Sequence, residues 1–436
     1  MQFIINFSLI FSKIKFIILK YINSLAAKGG IFLNILGIIV EYNPFHNGHL
    51  YHINESKKIS KADKCIAIMS GNYMQRGMPA LCDKHLRTEM ALKHGVDMVI
   101  ELPVHYASSS AEYFASASIN ILNSTGIVNS LCFGTEIGEL ENIYECANVL
   151  LSEPDIFKKS LKNFLTSGVS YPKARQEALS HTLNKNCDFL NNPNNILGLE
   201  YIKALIKTSS NIKPYAIKRH IADYHSTNIM DNISSATAIR KALNEKDYIS
   251  VQKSTPNDVA ELLIKLAKNN IIISNMDSLS HILHYILKSS NHSDLSSISG
   301  ITEGLENRIL SIAEKHFKIS DILNHLKCKR YTLTKLQRCL LHIILNIKEI
   351  DIINPQYIRV LGFRKDSEFL LKELKNKSSL PVLTNLKNAH KNLNLAGLAM
   401  LNKEIYATDI YYLSQEKYIS SPSVKNIEYT KPLVII

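Results

Sequence analysis

Gly37-Ile38-Ile39-Val40-Glu41-Tyr42-Asn43-Pro44-Phe45-His46-Asn47-Gly48-His49 is the stretch that decides the reading of this 436-residue chain. An apolar run leads into a proline-bearing turn, and two histidines follow, three residues apart. A helix opening here puts His46 and His49 on one face of its first turn. The backbone N–H groups at that helix end lack intrahelical partners and point the same way. Imidazoles, free amides and a favourable dipole then converge on one anion, as the phosphates of a nucleotide require. Two bland alternatives stand beside this one: ordinary turn histidines, and a zinc site. Two ligands are not four, and no cysteine pair or carboxylate lies at metal-ligand spacing.

Outward from this stretch, the chain alternates short apolar runs with helical patterns, the rhythm of a parallel α/β sheet. Strands are expected at residues 35–41, 64–69, 98–102, 130–133 and 213–219. Helices are expected at 49–60, 84–94, 112–123, 139–151, 172–183 and 197–207. Ser70-Gly71-Asn72, residues 103–110 and Gly134-Thr135-Glu136 fall at C-terminal strand ends, the edge where open α/β sheets bind ligands. From about residue 247, apolar residues recur at helical spacing, as in Leu279, Ile282, Leu283, Ile286 and Leu287. The expected organisation is a Rossmann-like catalytic domain over 34–246 and a mostly helical domain over 247–436 that ends in a small mixed tail.

The formal charge of +13 suits a polyanionic partner such as RNA, although Lys, Asn and Ile are abundant throughout. Cys65, Cys82, Cys132, Cys146, Cys187, Cys328 and Cys339 are scattered and odd in number, without a C-x-x-C. That pattern suits reduced thiols in a cytoplasmic protein, with neither a disulfide framework nor structural zinc. Residues 1–33 read as an upstream extension, with a misassigned start as one explanation and an amphipathic membrane-surface helix as another. The uncharged run 1–12 is far short of the ~20 apolar residues that span a bilayer, so no stable membrane insertion is expected.

A second constellation is Ser235-Ala236-Thr237-Ala238-Ile239-Arg240. Ser235 and Thr237 suit an N-cap or first turn, and Arg240 projects one turn in, which makes a second anion site. A plain capped surface helix is the alternative. No G-x-x-x-x-G-K-[ST] occurs, so P-loop phosphoryl transfer is not expected.

The first stretch resembles the signature of the HIGH-type nucleotidyltransferases, G-x-F-D-P-x-H-x-G-H, with Tyr42-Asn43-Pro44 in place of Phe-Asp-Pro. Ser235 to Arg240 resembles that superfamily's second signature, S-[SA]-T-x-I-R, in the right order along the chain. Further blocks, including Met69-Ser70-Gly71-Asn72-Tyr73, Asp97 to Pro103, Asn192 to Tyr201 and Tyr357 to Phe363, resemble the bacterial tRNA(Met) cytidine acetate ligase family. The resemblance runs from Gly37 onward.

The resemblance implies activation of acetate by ATP as acetyl-adenylate, with Mg2+ on the phosphates. Acetyl transfer to N4 of the wobble cytidine of elongator tRNA(Met) would follow. It implies catalytic roles for His46, His49, Ser235, Thr237 and Arg240. ATP contacts are implied for Ile39, Val40, Glu41, Tyr42, Asn43, Pro44, Phe45, His46, Asn47, Gly48, His49, Leu50, Tyr51 and His52, and for Gly134, Asn195, Arg219 and His220. Cations and an aromatic of the helical domain are the RNA-binding candidates: Lys327, Lys329, Arg330, Tyr331, Lys335, Arg338 and Arg359. Arg76 and Lys84 are further candidates for the tRNA path. Glu41, Glu101 and Glu136 sit at strand ends, and spacing alone names no proton acceptor among them. Two rival functions are a small-molecule nucleotidyltransferase acting on a cofactor precursor and a non-catalytic nucleotide- or RNA-binding protein.

Overall fold

Apolar runs without alternation bury both faces of a strand, and four of them here form one parallel sheet with a half-exposed edge strand beside them. The computed structural model describes residues 33–219, 234–273, 275–351, 354–415 and 426–436. His220 and nearly all of the N-terminal extension lie outside the described residues.

The strands are β1 (Ile35–Val40), β2 (Lys64–Ser70), β3 (Met98–Leu102), β4 (Ser130–Thr135) and β5 (Lys213–Lys218). They stand in the order β5-β4-β1-β2-β3, with parallel pairing throughout. The helices that cover one face are α1 (Asn47–Ser60) and α2 (Lys84–Lys93). Opposite them lie α3 (Ala111–Ser124), α4 (Glu141–Ser152) and α7 (Pro193–Lys207), with the pair α5 (Asp155–Thr166) and α6 (Tyr171–Leu183) outside. Along β1, Leu36, Ile38 and Val40 join one core cluster and Ile35 joins the other, the two-sided burial that the run implies.

The chain beyond β5 departs from the expected division in two ways. Helices α8 (Ala236–Asn244), α9 (Tyr248–Ser254) and α10 (Asn257–Lys268) pack on the sheet. Ile239, Leu243, Val251, Val259 and Leu263 share a core cluster with Leu36 and Ile38, so no boundary falls at residue 247. The tail also returns to the sheet. β6 (Ile358–Phe363) pairs antiparallel with β3, while β7 (Val382–Leu383) and β8 (Val434–Ile435) flank β6. The separate helical core is narrower. It is built on α11 (Ser280–Ser289), α12 (Leu305–Ala313), α13 (Ile319–Leu326) and α14 (Leu333–Leu345). A long helix, α15 (Leu395–Leu413), joins that core to the sheet, with Tyr411 and Tyr412 in the helical cluster and Leu401 and Ile405 in the sheet cluster. Among the described residues no helix is long and apolar enough to cross a membrane.

A buried ion cluster fastens the tail to the sheet. Lys84 of α2 contacts Glu101 of β3, Glu404 of α15 (3.4 Å) and Glu428 near the C-terminus. Arg359 of β6 pairs with Glu101 (3.2 Å) and Glu428. All five side chains are buried, so Lys84 and Arg359 do not face a tRNA path; both expectations are corrected. Glu101 is likewise removed from the list of strand-end proton acceptors.

Candidate active site

Strand order reverses between β1 and β4, and in such sheets the ligand crevice opens at the C-terminal ends of these two strands. A cavity of about 2340 Å³ lies there, lined by both strand ends, the start of α1, the start of α8 and part of the helical domain. His46 is the N-cap of α1: its Nδ1 accepts from the Gly48 N–H at 3.1 Å. The ring proton therefore sits on Nε2, leaving a donor. His46 and His49 stack with ring centroids 3.7 Å apart, and Tyr42 meets His49 edge-on at 4.8 Å. Burial, aided by the Arg219 charge, lowers His46 and His52 to about 4 and holds His49 well below the ordinary histidine range. All three imidazoles are therefore neutral at pH 7. His49 Nδ1 is buried with no hydrogen-bond partner among the described residues.

Ser235 caps α8 by accepting from Ala238 N (3.2 Å), and Arg240 lies one turn in. Arg240 Nη1 donates to the Asn43 carbonyl at 2.7 Å, and Nη2 donates to Thr237 Oγ1 at 3.0 Å. The two sequence signatures thus touch directly. On the β4 side, Arg219 Nη1 donates to Asn194 Oδ1 (3.3 Å). A Cβ at Gly134 would come within 3.1 Å of Arg219 Cγ, so glycine lets that side chain lie across the strand end.

Of the residues from Ile39 to His52, Pro44, Phe45, Asn47 and Leu50 do not line the cavity. Phe45 is fully buried in the core and Asn47 Nδ2 donates to the Lys253 carbonyl, so their side chains are structural. Asn195 is also a brace. It is fully buried, its Oδ1 accepts from Glu136 N and its Nδ2 donates to the Phe189 carbonyl. Its neighbour Asn194 faces the cavity instead. Burial pushes the Cys82 thiol up to about 12 and Cys132 up to about 11, and raises Cys65 as well. None is a thiolate at neutral pH.

Lys329, Arg330, Tyr331, Lys335 and Arg338 line the far wall of the same cavity. Lys335 Nζ stands 4.5 Å over the Tyr331 ring, and Arg330 pairs with Glu303 at 2.8 Å. Lys327 does not reach the cavity; its Nζ donates to Asn324 Oδ1. Arg76, beside the β2 loop, does line it. The sequence reading missed a third wall, the α5–α6 turn with Leu165, Val169, Tyr171 and Arg175. Its one signal was an amphipathic helix running into Gly168-Val169-Ser170-Tyr171-Pro172, a turn that leaves Leu165, Val169 and Tyr171 exposed.

Gly77 lies where the β2 loop meets α14. Its φ is +80°, and an added Cβ would approach the Arg338 backbone nitrogen to 2.5 Å. Gly77→Ala is expected to cost about 1–3 kcal/mol in urea unfolding, through overpacking on a backbone that cannot give way.

The match to the HIGH Nucleotidyl Transferase family model spans residues 33–425. The chain is 41% identical over 409 residues to the tRNA(Met) cytidine acetate ligase of Thermoanaerobacter sp. (strain X514), covering 92% of this chain and all of that one. It is 40% identical over 413 residues to the Clostridium perfringens (strain SM101) protein of the same name, covering 91% and 98%. Thermotoga maritima TmcAL, crystallised with alpha-thio ATP, superposes with a TM-score of 0.86 at 32% identity, covering 93% of this chain and all of that one.

Proposed function

This chain belongs to the HIGH nucleotidyl transferases, and within them to the tRNA(Met) cytidine acetate ligases, and from that premise we propose that it acetylates a tRNA cytidine at the expense of ATP. The acceptor proposed is N4 of the wobble cytidine of elongator tRNA(Met), and the activated intermediate is acetyl-adenylate. One observation supports this above the others. Arg240 donates to the Asn43 carbonyl and so joins both signatures on the floor of a cavity whose far wall carries Tyr331, Lys335 and Arg338. On this reading nucleotide and RNA chemistry share one space.

In the first step a carboxylate oxygen of acetate attacks the α-phosphorus, and charge grows on the phosphate oxygens and the departing pyrophosphate. The His46 Nε2–H, His49, the start of α8 and the Arg219 and Arg240 guanidiniums supply donors and positive charge at that position. Catalysis is then positioning and electrostatic stabilisation. Among the described residues the only cluster of three potential metal ligands encloses the Lys84 ammonium. Magnesium is therefore proposed to arrive on the triphosphate, held by phosphate oxygens with no protein cage. A tRNA substrate sets the enzyme in the cytoplasm.

The test is ATP–pyrophosphate exchange with and without acetate, followed by nucleoside analysis of tRNA(Met). Acetate-dependent exchange and N4-acetylcytidine are expected. Exchange that needs a different co-substrate and ignores tRNA would replace this reading with a small-molecule nucleotidyltransferase. Lys335→Ala is expected to weaken tRNA binding at all sequences and to reduce the slope of log affinity against log salt by about 1, measured by filter binding across a salt series.

A further inference from the structure

Acyl transfer to an exocyclic amine releases a proton, and five carboxylates line the cavity where it would be released: Glu41, Glu112, Glu136, Glu200 and Glu303. Four of them are already committed. Glu112 pairs with Lys203 at 2.7 Å, and Glu200 pairs with Arg175 at 2.7 Å and Lys203 at 2.8 Å. Glu303 pairs with Arg330 and accepts from the Tyr331 hydroxyl. Glu136 accepts from Asn194 Nδ2 at 2.7 Å and Asn195 N at 3.0 Å, at the start of α7. Glu41, at the end of β1, accepts one backbone hydrogen bond, from Gln75 N to Oε1 at 2.7 Å, and forms no ion pair among the described residues.

We propose that the Glu41 carboxylate is the proton acceptor of the acyl-transfer step. This rests on the acetate-ligase reading above. The N4 lone pair of the cytosine forms a bond to the acetyl carbonyl carbon. The bond from that carbon to the phosphate oxygen breaks, AMP departs with the electron pair, and the N4 proton passes to Glu41.

Three observations support the assignment over the neighbouring groups. A carboxylate repels a triphosphate, so Glu41 is ill suited to the phosphate-binding role of the rest of its segment. The histidines are poor acceptors, because burial and the Arg219 charge hold them far below neutrality. Glu41 is displaced the other way: burial raises it, against the Gln75 hydrogen bond and the charges of Arg87 on α2, Arg76 beside β2 and Arg240 on α8. Tyr201 of α7, itself raised by burial, also faces it. A carboxylate raised by burial is a stronger base than a solvated one, and the three guanidiniums oppose that rise.

The test uses full-length Glu41→Gln, whose amide oxygen can still accept from Gln75 N. Acetate-dependent ATP–pyrophosphate exchange should persist within about tenfold, whereas single-turnover transfer from synthetic acetyl-adenylate to tRNA(Met) should fall about 10²–10⁴-fold. Wild-type transfer should rise with pH through one ionisation, and that acid limb should vanish in the variant. Transfer by Glu41→Gln within tenfold of wild type overturns the proposal. So does loss of exchange in step with transfer, which moves Glu41 to the first step. The wild-type pH profile alone decides if the variant does not fold: no acid limb means no such base. A wild type that neither exchanges nor transfers sinks the acetate-ligase reading itself, a different and recognisable failure.

Discussion

Replacing His49 by alanine is expected to lower acetate-dependent ATP–pyrophosphate exchange by about 10²–10³-fold, the usual loss when one donor aimed at transition-state charge is removed. The imidazole sits at the third position of α1, stacked on His46 and held edge-on by Tyr42, so its direction is fixed before any nucleotide binds. A preorganised neutral donor pays no reorganisation as charge develops on the phosphate, which places the loss mainly in kcat. Because burial holds His46 and His49 neutral, kcat/KM for ATP should show no histidine limb above about pH 5, since that ratio reports free-enzyme ionisations. An imidazolium-dependent mechanism would instead lose activity as pH rises past 6. The same variant separates a ligase from a binding protein that has kept only the fold. Its tRNA affinity should survive, because the cations of the far wall are untouched, while exchange collapses. Unchanged exchange in a folded His49→Ala protein would refute the role.

How much of this was readable beforehand follows from which forces act locally. β1 to β4 were legible because a strand buried on both faces must be apolar without alternation, whereas β5 is a half-exposed edge strand read from its place after the helices. The capped start of α8 was legible because Ser235 satisfies an N–H three residues away, whereas His46, read as part of the first turn of α1, is its N-cap and accepts from Gly48 N. β6 was not recognised as part of the sheet. Tyr357 to Phe363 is a good apolar run, but nothing in it says that its partner is Met98–Leu102 far earlier in the chain. Asn257–Lys268 falls in the stretch expected to form the helical domain and packs on the sheet instead, since Val259 and Leu263 are equally apolar against a sheet or a bundle. Asn195 came from the family resemblance, and the sequence holds no sign that its side chain braces Glu136 and Phe189 while that of Asn194 turns to the cavity. Lys84 and Arg359 misled most. A cation in a basic chain reads as solvent-facing or RNA-facing, and only the folded chain brings Glu404 and Glu428 to it.

That cluster carries the largest expected effect on stability. Lys84→Met is expected to destabilise the protein by about 3–5 kcal/mol, read from the urea midpoint, because it leaves buried carboxylates without their shared cation. Lys84 touches Glu101, Glu404 and Glu428 at once, and Arg359 alone remains to balance them. Burial and the neighbouring Glu404 raise Glu101 to about 7, whereas Arg359 and Lys84 hold Glu428 well below the usual carboxylate range against the opposing effect of burial. The signs follow from linkage. Glu101 binds a proton in the fold that the unfolded chain has released, so its contribution to stability falls as pH rises from about 4.5 to 7. Glu428 acts in the opposite sense, with stability present above about 4.5 and lost as pH falls below it. With Glu101 protonated, two cations face two carboxylates; above pH 7 a third negative charge is added, and Lys84 matters more. The cost of Lys84→Met should therefore be larger at pH 8 than at pH 5.5. Adding Glu404→Gln to Lys84→Met should recover part of the loss by removing one unpaired charge. Equal costs at both pH values, or no recovery in the double variant, would mean that Lys84 stabilises the joint by packing and not by charge. Because the cluster ties α2, β3, β6, α15 and the C-terminal tail together, the single variant should also expose the tail to proteolysis before the parallel strands unfold.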